Sequence, residues 1–190
     1  MDNREKILES ALELFYLKGY DAVGVQEIAD RAGITKPTLY HYFGSKYGLL
    51  ECLTREHYER FKADAIPAAQ YHGDLPLTLY RFVKKCFELA LNDGKFCAFF
   101  MSMLYSAEAS DTYKVVKPYF DDQLELLTNL FLQAGHIIGN MNGRQEQYAL
   151  TLIGMIYSSL LFWSVRRDQS LISDEKVFAL VHQFLHGIYV

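Results

Sequence analysis

No stretch of this chain approaches the ~20 consecutive apolar residues that a membrane span needs. Cysteine is scarce: Cys52, Cys86 and Cys97 form no Cys-x-x-Cys pair, and each lies among Leu, Phe or Ala. They are read as buried structural thiols of a reduced, cytoplasmic protein that begins without a signal peptide. Six histidines give no metal-ligand cluster except His182 and His186, four apart on a helix, and a surface or interface pair is the better reading of those two. No metal or cofactor is called for. Nothing resembles a nucleophile with its base or a working pair of carboxylates. The nearest acidic group, Asp121, Asp122 and Glu125, sits among Lys114, Lys117 and Gln123 as a solvated helix face would. An enzyme is therefore disfavoured.

Basic charge is also missing. The net charge is −4, and residues 1–62 hold nine Lys or Arg against ten Asp or Glu. Between Arg31 and Leu50, however, stand Arg31, Lys36 and Lys46 with no acidic residue. A local positive surface on an acidic protein still binds phosphate, but weakly, so specificity has to come from base contacts. With 51% of its residues apolar the chain can bury a large core. It reads throughout as helices, with no credible strand.

Residues 26–46 have the spacing of a DNA-reading helix-turn-helix. Ile28, Ala29 and Ala32 put apolar groups on one helical face, and Gly33 stops that helix because it accepts a left-handed backbone. Ile34 plugs the angle between the two helices. Thr35 caps the second helix, Lys36 and Pro37 fill its first turn, and Leu39 and Phe43 return four apart to the core. Lys36, Thr38, Tyr40, His41 and Tyr42 are then left for the groove. Lys36 suits guanine O6 and N7, and Thr38 suits any base or the thymine methyl; Tyr40, Tyr42 and Lys46 suit phosphates. Val25 and Thr35, at the starts of the two motif helices, complete the DNA-facing set together with Pro37.

A first helix is expected from Asp2, where Asp2 and Glu5 have capping-box spacing, to Gly19, with Ile7, Leu8, Ala11, Leu12, Leu14 and Phe15 as its stripe. Helix 4 follows Ser45 and runs to about residue 63. Here the chain resembles the tetracycline repressor (TetR) family of bacterial transcription regulators. The resemblance spans about residues 4–53. It rests on Ala11-Leu12-Glu13-Leu14-Phe15, Lys18-Gly19-Tyr20, Ile28-Ala29 through Gly33-Ile34, and above all Pro37-Thr38-Leu39-Tyr40-His41-Tyr42-Phe43 with Ser45-Lys46 and Leu49-Leu50. It implies that residues 36–42 enter the major groove and that Lys46 contacts backbone phosphate. One departure is Gly24, where the family usually has a Ser or Thr that caps helix 2 and touches phosphate.

The domain division expected is 1–46 for the helix-turn-helix, 45–63 for a connecting helix, and 64–190 for a C-terminal bundle. Within that bundle, residues 66–76 form a connector. Helices follow over about 76–92, 95–107, 111–138 (ending at Gly139-Asn140), 143–168 and 173–188, nine helices in all. The last two carry heavy apolar faces, and resemblance to the family makes them a four-helix dimer interface through Met155, Ser159, Val177, Val181, Phe184 and Ile188. Small residues Gly154, Ser158 and Ser159 permit close approach; burial of both faces inside one monomer is the alternative. Resemblance also implies an effector pocket, for which Phe100, Met103, Tyr119, Gln123, Tyr157 and Trp163 are candidate lining. The expected protein is a homodimeric repressor released from a palindromic operator by a small apolar or aromatic effector. An activator or a ligand-independent adaptor is the alternative.

Overall fold

Asp2 starts the first helix by accepting the Glu5 N–H at 2.8 Å while the Glu5 carboxylate accepts the Asp2 N–H at 3.1 Å, so the capping box is complete. The computed structural model describes residues 2–136, 143–166 and 173–187, apart from the side chains of 163–166. Among the described residues there are nine helices and no strand: α1 (Asn3–Lys18), α2 (Val25–Ala32), α3 (Lys36–Phe43), α4 (Lys46–Ala68), α5 (Leu75–Asn92), α6 (Gly94–Leu104), α7 (Asp111–Ala134), α8 (Gln145–Arg166) and α9 (Asp174–His186). The all-α class is as the sequence predicts.

Several boundaries move. Helix α4 continues through Pro67, five residues beyond the expected end, and shortens the connector. Proline lacks a donor, but in a final turn this removes one bond only, and Ala65 and Ala69 are both buried and hold the turn against a core. Asp74 then caps α5 by accepting the Leu77 N–H at 2.9 Å, with Pro76 in the first turn. Helix α6 stops three residues early, where Ser106 Oγ donates to the Met103 carbonyl and joins a hydroxyl cluster with Ser110 and Thr112. The expected stop at Gly139-Asn140 lies outside the described residues.

The chain separates into two compact units, and neither is one continuous segment. The first comprises Met1–Glu59 with Lys95–Tyr119. In it α1 packs on α2 and α3, and Ile7, Ala11, Phe15, Ile28, Leu39, Leu49 and Leu53 are buried. Helix α6 belongs to this unit because the Phe99 ring stacks on Phe15 at 5.6 Å, Phe96 on His57 at 4.3 Å, and Lys95 pairs with Glu13 at 3.3 Å. The second unit comprises Arg60–Gly94 with Phe120–Val190. There α5 packs on α8 and α9 over a core that includes Phe82, Phe87, Leu127, Phe131, Leu152, Ile156, Val177 and Val181.

Candidate nucleic-acid interface

Gly33 adopts φ 67° and ψ 35°, and its N–H reaches back to the Ala29 and Asp30 carbonyls, which ends α2 in the left-handed stop the sequence predicts. One residue on, Thr35 begins α3 by accepting the Thr38 N–H at 3.4 Å. Leu39 is fully buried beneath α3, an anchor that contributes about 2 kcal/mol. Phe43 is half-buried rather than sealed, and the Arg4 guanidinium lies 5.9 Å over its ring.

Anchored there, α3 turns its other flank to solvent. Lys36, Pro37, Tyr40, His41 and Tyr42 are exposed, and Thr38 and Val25 are half-buried. Thr35 is exposed, and its hydroxyl lies 2.9 Å from that of Thr38, so one of the two donates a hydrogen bond to the other and links cap to groove face. The His41 and Tyr42 rings meet edge to face at 5.6 Å, which orders the outer turn of the helix.

The three cations of this segment are used differently. Arg31 pairs with Glu13, which Lys95 also grips, and these two partners hold the Glu13 carboxyl below its ordinary range, Arg31 more strongly. Lys46 donates from Nζ to the carbonyls of Tyr20 at 2.8 Å and Val23 at 3.0 Å, and lies 4.0 Å over the Tyr20 ring. Burial lowers the pKa of this ammonium, against the pull of Asp21 and Asp111. Lys36 stands exposed in the first turn of α3. The phosphate role that resemblance gives Lys46 therefore comes with a second one, holding the α1–α2 connector against the start of α4.

Two glycines shape the site. Gly24 caps α2 without any side-chain bond, and a Cβ there would meet nothing within 4 Å. Gly48, which sequence reasoning missed, admits no side chain at all: a Cβ would lie 2.2 Å from the Phe43 carbonyl oxygen. Only the close approach of the end of α3 to the start of α4 reveals this, since Gly48 falls inside a helical pattern and carries no turn signal of its own.

The remaining candidate residues fall within the two units separately. Phe100 and Met103 are buried in the first unit; the Tyr58 ring lies 6.3 Å from Phe100 and 4.7 Å from Tyr119. In the second, the Tyr157 hydroxyl donates to Gln123 Oε1 at 2.7 Å, and Gln123 is buried. The side chain of Trp163, like Ile188, lies outside the described residues. Val177 and Val181, expected on a dimer face, are instead 0% and 3% exposed within the core of their own unit. Met155 and Phe184 are half-buried and line one groove of about 260 Å³ with Tyr148, Thr151 and Gln183; Ser159 is half-buried, its hydroxyl turned back on the Met155 carbonyl. The apolar side chains that do face outward are Leu150, Leu161 and Phe162 on α8 and Phe178 on α9. Sequence reasoning missed these because both faces of each helix are apolar, and periodicity does not say which one the monomer consumes.

Among the described residues no group of three or more His, Cys, Asp or Glu is placed to hold a metal ion, and no helix is long and apolar enough to cross a membrane.

Residues 7–53 match the model of the bacterial regulatory proteins, tetR family. Across 98% of its length the chain is 28% identical to the HTH-type transcriptional activator FasR of Mycolicibacterium smegmatis, of which it covers 82%. It is 29% identical over 87% of its length to the HTH-type transcriptional repressor KstR of Mycobacterium tuberculosis, covering 73% of that protein. The fold is shared with the transcriptional regulator FadR of Bacillus subtilis, solved in complex with stearoyl-CoA, at a TM-score of 0.76 and 17% identity over 97% of this chain and 99% of that one. Residues 7–53 are thus a helix-turn-helix domain of the tetR family of bacterial regulatory proteins, and over most of its length the chain is similar to transcriptional regulators rather than to enzymes.

Proposed function

We propose that the protein is a homodimeric repressor that holds two copies of α3 about 34 Å apart on a palindromic operator and releases it when an apolar effector binds. The observation that carries the reading is the exposed row Lys36, Tyr40, His41 and Tyr42 on a helix whose opposite side is locked down by Leu39. Lys36 and Thr38 read base edges. Tyr40 and Tyr42 hold phosphates, and Val25, Thr35 and Pro37 set the register at the helix starts. One helix of this length reads few base pairs, and a two-fold partner doubles the site.

Dimerisation is supported by the outward Leu150, Leu161, Phe162 and Phe178 and by the groove that Met155 and Phe184 share, all on α8 and α9. Gly154 leaves open space for close approach. Effector binding is supported by the aromatic and Met-rich α6 and by the buried Gln123 and Tyr157 pair, which offers polar anchorage in apolar surroundings. The stearoyl-CoA held by the Bacillus subtilis regulator makes a long acyl thioester the first probe to try. An effector that prefers a different spacing of the two α3 helices weakens operator binding by the ratio of its affinities for the two states, with α4 as the lever. The cytoplasm is the compartment this function requires.

The test is binding of the purified protein to the DNA upstream of its own gene at about 50 and 200 mM salt, with and without stearoyl-CoA. Sequence-selective binding at both salts, lost in Lys36→Ala and Tyr42→Ala and weakened by the thioester, is expected. Indifference to sequence would defeat the reading. The likeness to FasR favours one second reading, an activator, in which the same operator binding raises transcription from the adjoining promoter.

A further inference from the structure

Phe178, His182 and His186 fall four residues apart on α9, one turn after another, beside the buried pair Val177 and Val181. All three face outward, Phe178 at 62% exposure. The two imidazoles are drawn together although both are exposed: their centroids are 4.4 Å apart with the planes at 44°, and the Phe178 ring lies 6.1 Å from His182. Histidines at i and i+4 are the spacing by which one helix face grips a zinc-like ion. His186 occupies the last turn, before Gly187 ends the helix, where the carbonyl end of the helix favours a cation. Imidazole is a preferred donor for zinc, copper and nickel.

Two imidazoles fill two of the four positions of a tetrahedral ion. No third His, Cys, Asp or Glu joins them among the described residues of the chain, which leaves room at the ion for donors from another molecule. A two-fold interface presents the same patch twice, and the second patch supplies the same two donors. We propose that His182 and His186 form half of a site for a divalent ion of the zinc class, completed by the same pair from a second copy of this chain. The site rests on the homodimer reading above, and through it metal strengthens the dimer.

The experiment uses the full chain without a histidine tag, stripped with EDTA and titrated with zinc chloride alone. Metal content is measured by mass spectrometry after desalting, and molar mass by light scattering. One ion per two chains is expected, with a dimer that resists dilution better than the stripped protein. His182→Ala and His186→Ala each raise the half-saturating zinc concentration by about tenfold or more, and both keep the operator binding of the stripped wild type. Zinc that is not retained, that binds one per chain, or that survives both substitutions overturns the site. A stripped protein that is monomeric and binds no operator defeats the dimer reading and this site with it. A stripped protein that is dimeric, binds operator and ignores zinc defeats the site alone.

Discussion

The Lys46 ammonium lies 4.0 Å over the ring of Tyr20 while donating a hydrogen bond to that residue's own carbonyl at 2.8 Å. With the second bond, to Val23 at 3.0 Å, the first turn of α4 fixes the connector from which α2 starts. Lys46→Met is expected to cost about 2 kcal/mol, because two carbonyls lose a charged donor in a half-buried place. Urea denaturation measures it. A loss of a few tenths would mean that the ammonium serves DNA alone.

Gly48→Ala puts a methyl 2.2 Å from the Phe43 carbonyl oxygen, and backbone has to yield. The expected destabilisation is about 1–3 kcal/mol, with operator affinity falling further than stability does because α3 is displaced. Thermal unfolding and DNA anisotropy on the same preparation separate the two effects, and equal tolerance of alanine and glycine would contradict the geometry.

Gly24→Ser is predicted to improve the protein. The backbone there, φ −87° and ψ 150°, is ordinary for a cap, and the space is open. A hydroxyl caps α2 for a gain of a few tenths of a kcal/mol. Where it reaches phosphate, the salt dependence of operator binding steepens by about one phosphate contact.

Burial pushes the Tyr20 phenol from 10.0 up to about 12, with Asp111, Asp21 and Tyr47 adding to the shift. Its folded value is raised, so the stability it contributes is complete below about pH 10 and is lost as the pH rises towards 12. The lowered Lys46 value acts in the opposite direction at alkaline pH, so the measurement is a difference. Between pH 10 and 12 the wild type should lose more stability than Tyr20→Phe does. Parallel curves would dismiss the buried phenol as the cause.

Tyr157→Phe removes the donor that satisfies buried Gln123 Oε1. The orphaned amide oxygen costs about 1–3 kcal/mol in urea denaturation. If the pair anchors an effector, the thioester concentration needed for operator release changes as well, whereas a purely structural bond leaves that unchanged once stability is allowed for.

Short-range chemistry determined much of this molecule from the sequence alone. Capping at Asp2 and Thr35, the left-handed stop at Gly33 and the inward Leu39 each depend on residues within one or two turns, so the motif and its outward row were readable from the chain itself. Tertiary structure decided what depends on distant partners. It placed Arg31 on Glu13 and Lys46 on the Tyr20 and Val23 carbonyls, put α6 in the same unit as the motif, and required a bare backbone at Gly48. It also chose, between two apolar faces of α9, to bury Val177 and Val181 and leave Phe178, His182 and His186 outside. The physical reason is that a helix repeats every 3.6 residues whatever it packs against, so its own sequence fixes the stripes but not which stripe finds a partner.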